Sequence, residues 1–507
     1  MKKIKKYNIL VAIILGIFLM GCTDNFDELN TNPNTVTTAS PSMLATNVIL
    51  GMVKYGGADA SAYLSQYFLP KYQGSAYGLT VSQYNQVGKG YFSFTSVQTI
   101  NKMLEMAEGN PQKESYQAIA KFSRAMTFWN ATISLGDIPY SEAGLASQGN
   151  YKPQYDTQET VVLGVLNELK EAEALFAKGI NFDGDPTPFA GDAKKWRKAV
   201  NAFTLRVLIA LSKKTDVASL DVKNRFQSIV SSGFLLDPGT YLGLVYNDVQ
   251  NHPVYGARNL YYNTQCVSDF VVNNLKRLND YRLFYFADPA PAKISAGYTE
   301  GDMAAYNGMD VVAPFNQIQA DNNQRKLFSL VNGRYYDVKA SEPRVVMGYV
   351  EQQFALAEAR IRGWITTGTA KDYYESGVKA SLSFYMATDA SKAHTKPITQ
   401  TYIDNYFTGD AAFATTPDEQ LKQIWMQRYL AGFMQPQYES FNYLLNNYPD
   451  LPYNEATNLN TGVGGGFPKR NMYPDSEYSY NLDNLIIALK RQWNGSDDPN
   501  NVMWILK

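Results

Sequence analysis

In 507 residues the chain has only two cysteines and two histidines. Cys22 closes a leader-like stretch, so once it is modified Cys266 is the sole thiol left and no intrachain disulfide can form. His252 and His394 lie far apart, which excludes a multi-histidine metal site and leaves a serine–histidine triad without support. Positive charge is also missing. The formal net charge of −1 counts four lysines ahead of Cys22, and without them the chain carries about −5, which offers no basic face to nucleic acid. No cofactor is expected: Gly462-Val463-Gly464-Gly465-Gly466 opens no helix and reads as a flexible linker rather than a phosphate loop.

What is present begins at the N-terminus. Lys2, Lys3, Lys5 and Lys6 precede an apolar run from Ile9 to Met20 that is too short, and wrongly flanked, to span a bilayer; this is an export signal. Leu19-Met20-Gly21-Cys22 matches the lipobox of bacterial lipoproteins. Residues 1–21 are therefore expected to be removed and Cys22 to be lipidated, and the several acyl chains that the lipoprotein resemblance implies would anchor it durably. Residues 22–40 are polar and structure-breaking and are expected to form a tether. Length alone allows about three domains. No interdomain linker follows the tether, so residues 41–507 are expected to form one helical domain.

Apolar residues recur every three or four positions in several segments, which predicts amphipathic helices. Over 159–178 the stripe is Val162, Val165, Leu166, Leu169, Ala172 and Phe176, with Asp156 as the expected N-cap. Asp192 is placed to cap a helix carrying Trp196, Val200, Phe203, Val207 and Leu211; Thr416-Pro417-Asp418-Glu419 starts another that runs until Pro436 stops it. Residues 345–364 and 370–386 are two striped segments joined by Thr366-Thr367-Gly368, a turn short enough to make them antiparallel. Ala357-Glu358-Ala359, Gly363, Tyr374 and Ala380 echo the small-residue spacing of a tetratricopeptide unit. Between 215 and 345 one clear helix is expected, near 266–279, among long loops of the kind that carry binding sites.

Acidic residues are plentiful, but nothing singles out one pair as glycosidase machinery. Asp137, in Gly136-Asp137-Ile138-Pro139-Tyr140, reads as a turn or cap residue. Asn181, Asp183, Asp185 and Asp192 have a spacing suggestive of calcium ligands, yet Pro186 occupies the place where such a loop requires glycine. Tyrosine is the conspicuous excess, at 37 residues, and its ring can stack on a sugar face while the hydroxyl stays wet. Between 72 and 92 periodicity fades, Gly74, Gly78, Gly88 and Gly90 break the chain, and amides are interleaved with the rings. Tyr72, Tyr77, Tyr84, Asn85 and Tyr91 are therefore expected to touch a neutral ligand, with Tyr261 and Tyr262 as a second cluster.

Several motifs then occur in order: the lipobox at Cys22, Phe26-Asp27-Glu28-Leu29-Asn30-Thr31-Asn32-Pro33-Asn34, Gly136-Asp137-Ile138-Pro139-Tyr140-Ser141-Glu142-Ala143, and Gly191-Asp192 before Trp196. Leu278-Asn279-Asp280-Tyr281-Arg282-Leu283, Leu356-Ala357-Glu358-Ala359, and Pro468-Lys469-Arg470 leading to Tyr473-Pro474 follow. In this order they resemble the SusD/RagB family of outer-membrane nutrient-binding lipoproteins, particularly its starch-binding-associated branch. The resemblance implies an all-α fold of tetratricopeptide-like helix pairs with long irregular loops and room for a few short strands. It implies a lipid-anchored place at the cell surface on the outer membrane, and a lid-like association with a SusC-like TonB-dependent transporter. It also implies binding without catalysis. The ligand is expected to be a glycan, with a peptide on the same scaffold as the alternative and a surface glycoside hydrolase as the reading from another class. No binding residue carries over by motif, although 72–92 looks similar in placement to a loop of the family's ligand surface.

Overall fold

The striped segments wind into helices because each can bury one apolar face against a neighbour. A computed structural model describes residues 39–507 apart from Ala58 and Gln437; the leader and Cys22 lie outside the described residues. The long helices are α1 (Pro41–Val53), α2 (Thr95–Met106), α3 (Lys113–Leu135), α4 (Gln158–Lys178), α5 (Ala193–Ala210) and α6 (Val222–Ser232). After them come α7 (Asp269–Arg277), α8 (Tyr349–Ile361), α9 (Ala370–Met386), α10 (Pro417–Ala431), α11 (Glu439–Asn446) and α12 (Leu482–Trp493). Strands among the described residues are short: β1 (Gln73–Ser75) pairs antiparallel with β3 (Gln265–Val267), and β2 (Tyr241–Leu244) with β4 (Arg344–Gly348). The all-α architecture of stacked helix pairs is thus present, with two small ribbons.

Capping explains where several helices start. Asp192 accepts from the backbone N–H of Lys194 and Lys195 at 2.9 and 3.1 Å, as its position predicts. Thr416 caps α10 and Pro417 occupies its first turn. For α4 the expected cap is wrong: Thr157 accepts from Thr160 N–H. Asp156 is drawn away because its backbone bridges Ile138, which sets the carboxylate over the N–H groups of Tyr140 and Ser141. The acids tested as calcium ligands are staples of the same kind. Asp185 accepts from Gly191 N–H and from the Trp196 indole, both at 2.7 Å, and Gly191 turns there at φ +77° where a Cβ would strike the Phe182 carbonyl.

Three boundaries differ from the periodic reading. Residues 344–348 form β4, so α8 begins at Tyr349; Gln265–Val267 is a strand ahead of α7; and α10 ends at Ala431, capped by Gly432 rather than by Pro436. The segment 215–345 also holds α6, whose apolar residues Val222 and Phe226 are buried.

Helix α8 separates two cores. Its Ala355, Leu356 and Ala359 join the cluster of Trp129, Leu166 and Phe203 from α3, α4 and α5. Phe354 and Ala357 face the other cluster, with Tyr374 and Leu382 of α9 and Leu430 of α10. The α8–α9 pair approaches closely because Gly377 has no side chain: a Cβ there would lie 2.7 Å from the Phe354 ring. Asp280 and Arg282 are fully buried, 2.6 Å apart, and Arg282 also donates to Ser381 of α9 and Gln427 of α10. That network ties the irregular middle of the chain to the helix stack.

Candidate ligand-binding surface

The β1–β3 ladder joins the two tyrosine clusters. Gln73 lies opposite Val267 and Ser75 opposite Gln265, and Ala76 N–H continues the pairing to the Thr264 carbonyl at 2.8 Å. Residues 76–79 and 260–264 therefore leave the ladder at the same end. A further helix, Phe315–Asn323, ties both down, since Gln319 donates to the Tyr77 carbonyl at 3.2 Å and Asn322 to the Asn263 carbonyl at 2.9 Å. Beneath lies a small apolar cluster of Ala76, Cys266, Met309, Val311 and Ile318. Cys266 is a packing residue whose thiol burial pushes up.

Exposure divides the expected contacts. Tyr77 is 75% exposed and Tyr91 is 80% exposed, whereas Tyr261 and Tyr262 are half-buried. Tyr72, Tyr84 and Asn85 are buried, contrary to the exposure expected from faded periodicity. Tyr72 stacks on Tyr429 of α10 at 4.3 Å and donates to its carbonyl. Tyr84 donates to the Ala313 carbonyl, and Asn85, at φ +66°, donates to Asn458. These three hold the loop up from below. Gln83 does the same, accepting from Ser75 N–H and donating to the Val311 carbonyl. Lys71 is also buried and donates to the Gln83 carbonyl; burial pushes its ammonium down to about 7. Tyr91 belongs to another part of the surface, because neighbouring Gly90 rests on Leu135 and Asn471.

Tyr262 is fixed in one pose. Its hydroxyl donates to Asp288 at 2.5 Å, and the Arg258 guanidinium lies 3.8 Å from its ring centre. Burial and then Asp288 hold its pKa above the usual phenol value. Asp288 further accepts from Gly333 N–H and meets His394 Nε2 at 2.8 Å, while His394 Nδ1 faces Glu300. Burial opposes charge on His394, but its hydrogen bonds to Asp288 and Glu300 outweigh this and raise its pKa. Arg258, Asp288 and His394 were invisible as a group in the sequence; only the proximity of Arg258 to Tyr262 gave a signal. Leu79, Val81 and Leu260, all exposed, complete the face with apolar surface.

A larger cavity of about 850 Å³ lies against β4, α9 and α10, lined by Tyr241, Tyr349 and Phe384 among others. None of the tyrosines expected to bind ligand lines it. Two of the charged pairs at its wall are already closed, Arg334 with Glu342 and Arg206 with Glu351. The ladder face keeps free rings and is the better candidate surface. Asp137 is structural too: it accepts from Nε and Nη2 of Arg491 and, at 2.8 Å, from the Gln158 N–H in the first turn of α4. Among the described residues no group of three or more potential metal ligands clusters, and no helix is long and apolar enough to cross a membrane.

Stacked helix pairs that present a loop-borne aromatic face make a scaffold suited to binding. The chain belongs to the SusD-like family, whose model, described as starch-binding associating with outer membrane, matches residues 33–474. A SusD homologue from Bacteroides fragilis is 35% identical over 92% of this chain and 100% of its own, with a TM-score of 0.88. A second from the same organism is 31% identical over 93% and 100%, with a TM-score of 0.81. A chitin-binding SusD homologue from Flavobacterium johnsoniae shares the fold at 18% identity over 92% and 98%, with a TM-score of 0.66. Among curated proteins no match is found.

Proposed function

We propose that the protein is a lipid-anchored receptor at the cell surface that binds oligosaccharides or polysaccharides and delivers them, uncut, to a SusC-like TonB-dependent transporter in the outer membrane. One observation carries the ligand reading: the β1–β3 ladder brings the segment bearing the exposed ring of Tyr77 to the same end as the tyrosine pair Tyr261 and Tyr262. Rings of this kind stack on the apolar faces of sugars, and the side chains below hold them in place without spanning the site. The family's description as starch-binding, and the chitin-binding relative, point to the same ligand class. Asp137 and Asp288 are each occupied by structural partners, which fits capture better than hydrolysis at these two acids.

The test is calorimetry of the full-length protein in detergent with soluble starch and chitin oligosaccharides, followed by chromatography of the bound sugar. Binding with the sugar recovered intact is the expected result. Cleaved product would establish the hydrolase reading, and silence toward every glycan with binding of peptides would establish the peptide reading. Co-purification from mildly solubilised outer membranes is expected to bring down a large barrel protein; recovery of the lipoprotein alone would remove the transporter step.

A further inference from the structure

A second cavity, of about 420 Å³, lies between the end of α1, α3, β4 and residues 468–471. Four charged residues line it, Arg206, Arg344, Lys469 and Arg470, and all four are cations. Two of them have a carboxylate elsewhere: Arg206 pairs with Glu351, and Arg470 with Asp497 at 2.6 Å. Arg344 has instead the Tyr55 ring at 5.7 Å, and its Nε and Nη1 are buried without a hydrogen-bond partner. Arg470, only 4% exposed, also leaves Nη2 buried and unpartnered. Burial, and after it Lys213, lower the pKa of Lys469, the reverse of what a neighbouring carboxylate would do. Buried guanidinium donors without acceptors are costly, and a lining whose charged residues are all cations favours an anion.

The cavity adjoins the ligand loop. Val87 is part of its wall, and Gly90 N–H donates to the Met472 carbonyl at 2.7 Å, which fastens the chain leading to exposed Tyr91 alongside residues 471–472. Asn130 and Asn471 add neutral amides to the same lining. A ring to stack on, amides for hydroxyls and a guanidinium fork for a planar anion together describe one ligand chemistry. We propose that this cavity is an anion subsite that takes the carboxylate of a uronic acid unit within an oligosaccharide. The proposal rests on the glycan reading above and narrows it to acidic sugars.

The experiment is calorimetry of the full-length protein in detergent with trigalacturonic acid and with the same trisaccharide after reduction of its carboxyls to alcohols. The acid form is expected to bind about tenfold more tightly, with the advantage shrinking as salt is raised. Lys469→Met and Arg344→Gln are each expected to cut that advantage about fivefold and to leave the reduced sugar unaffected. Lys469→Met carries the test should the Arg344 variant melt early in circular dichroism. Equal binding of both sugars, or an acid preference unchanged in folded Lys469→Met, overturns the subsite while the glycan reading stands. If neither trisaccharide binds, thermal melting with galacturonate monomer separates the two ideas. A rise in melting temperature that Lys469→Met abolishes keeps the anion site although the glycan reading has failed, and no rise ends the proposal.

Discussion

Asp280 and Arg282 have no exposed surface, so neither charge can fall back on water if the other is lost. Arg282→Met is expected to lower unfolding free energy by about 3–5 kcal/mol, read by urea denaturation, because it strands the Asp280 carboxylate. Replacing both residues with apolar ones should recover much of that loss; a double variant as weak as the single one would contradict the account. His252 makes a pH prediction. Burial first, then the charges of Arg334 and Arg344, pull its pKa from 6.5 to about 3. Between those values the unfolded chain binds a proton that the folded one refuses, so stability falls as pH drops below 6.5, by roughly 2–3 kcal/mol at about pH 4.5. His394 works in the opposite direction: its raised pKa contributes stability fully present below 6.5 and lost as pH climbs through the folded value. His252→Phe should flatten the acid-side slope whatever it does to the baseline, and an unchanged slope would assign acid sensitivity to other groups.

At the level of the element, the α8–α9 hairpin depends on one missing side chain. Gly377→Ala would gain helix propensity, but its methyl would meet a fully buried Phe354 ring at 2.7 Å. A net loss of about 1 kcal/mol is expected by thermal or urea unfolding, since overpacking costs more than the propensity returns. The ligand loop yields a contrast: Tyr77→Ala should weaken glycan binding at least about fivefold with little change in stability, as removing a stacking ring does, whereas Tyr72→Phe should spare binding and cost stability. Calorimetry and melting of the two variants check both. Helices α4, α5 and α9 were legible from their apolar stripes, whereas α3, 23 residues long, was not, because it is buried around most of its circumference and shows little polar face to set a stripe off. Strands β1, β3 and β4 were not, because three to five residues carry too few alternations to register, and Met347 fits a helical stripe as well as a strand. The loop between 72 and 92 is singled out by its rings and glycines, but sequence could not separate Tyr77, in solvent, from Tyr84, whose partner Ala313 is remote in the chain.

For the molecule as a whole, the family and the all-α stack were readable from ordered motifs. The lipobox lies outside the described residues, and lipidation at Cys22 stands on sequence alone. Cys22→Ala is expected to shift the protein from the membrane fraction to the soluble one on fractionation, and retention in the membrane would refute acyl anchoring. What the motifs contributed was mostly architecture: Asp280 and Arg282 staple the stack, Glu358 accepts from the Trp425 indole, and Asp137 holds Arg491. This is the physical reason that they announce the family yet name no ligand.

The tie between β1 and β3 is only three residues long on each side, and its partners are separated by several helices in the chain. The aromatic patch therefore cannot exist until those remote stretches have met, and the ladder itself has few hydrogen bonds with which to resist their parting. Under mild denaturant, ligand binding should fade before helical circular dichroism does, which would make this patch the most perishable part of an otherwise sturdy frame.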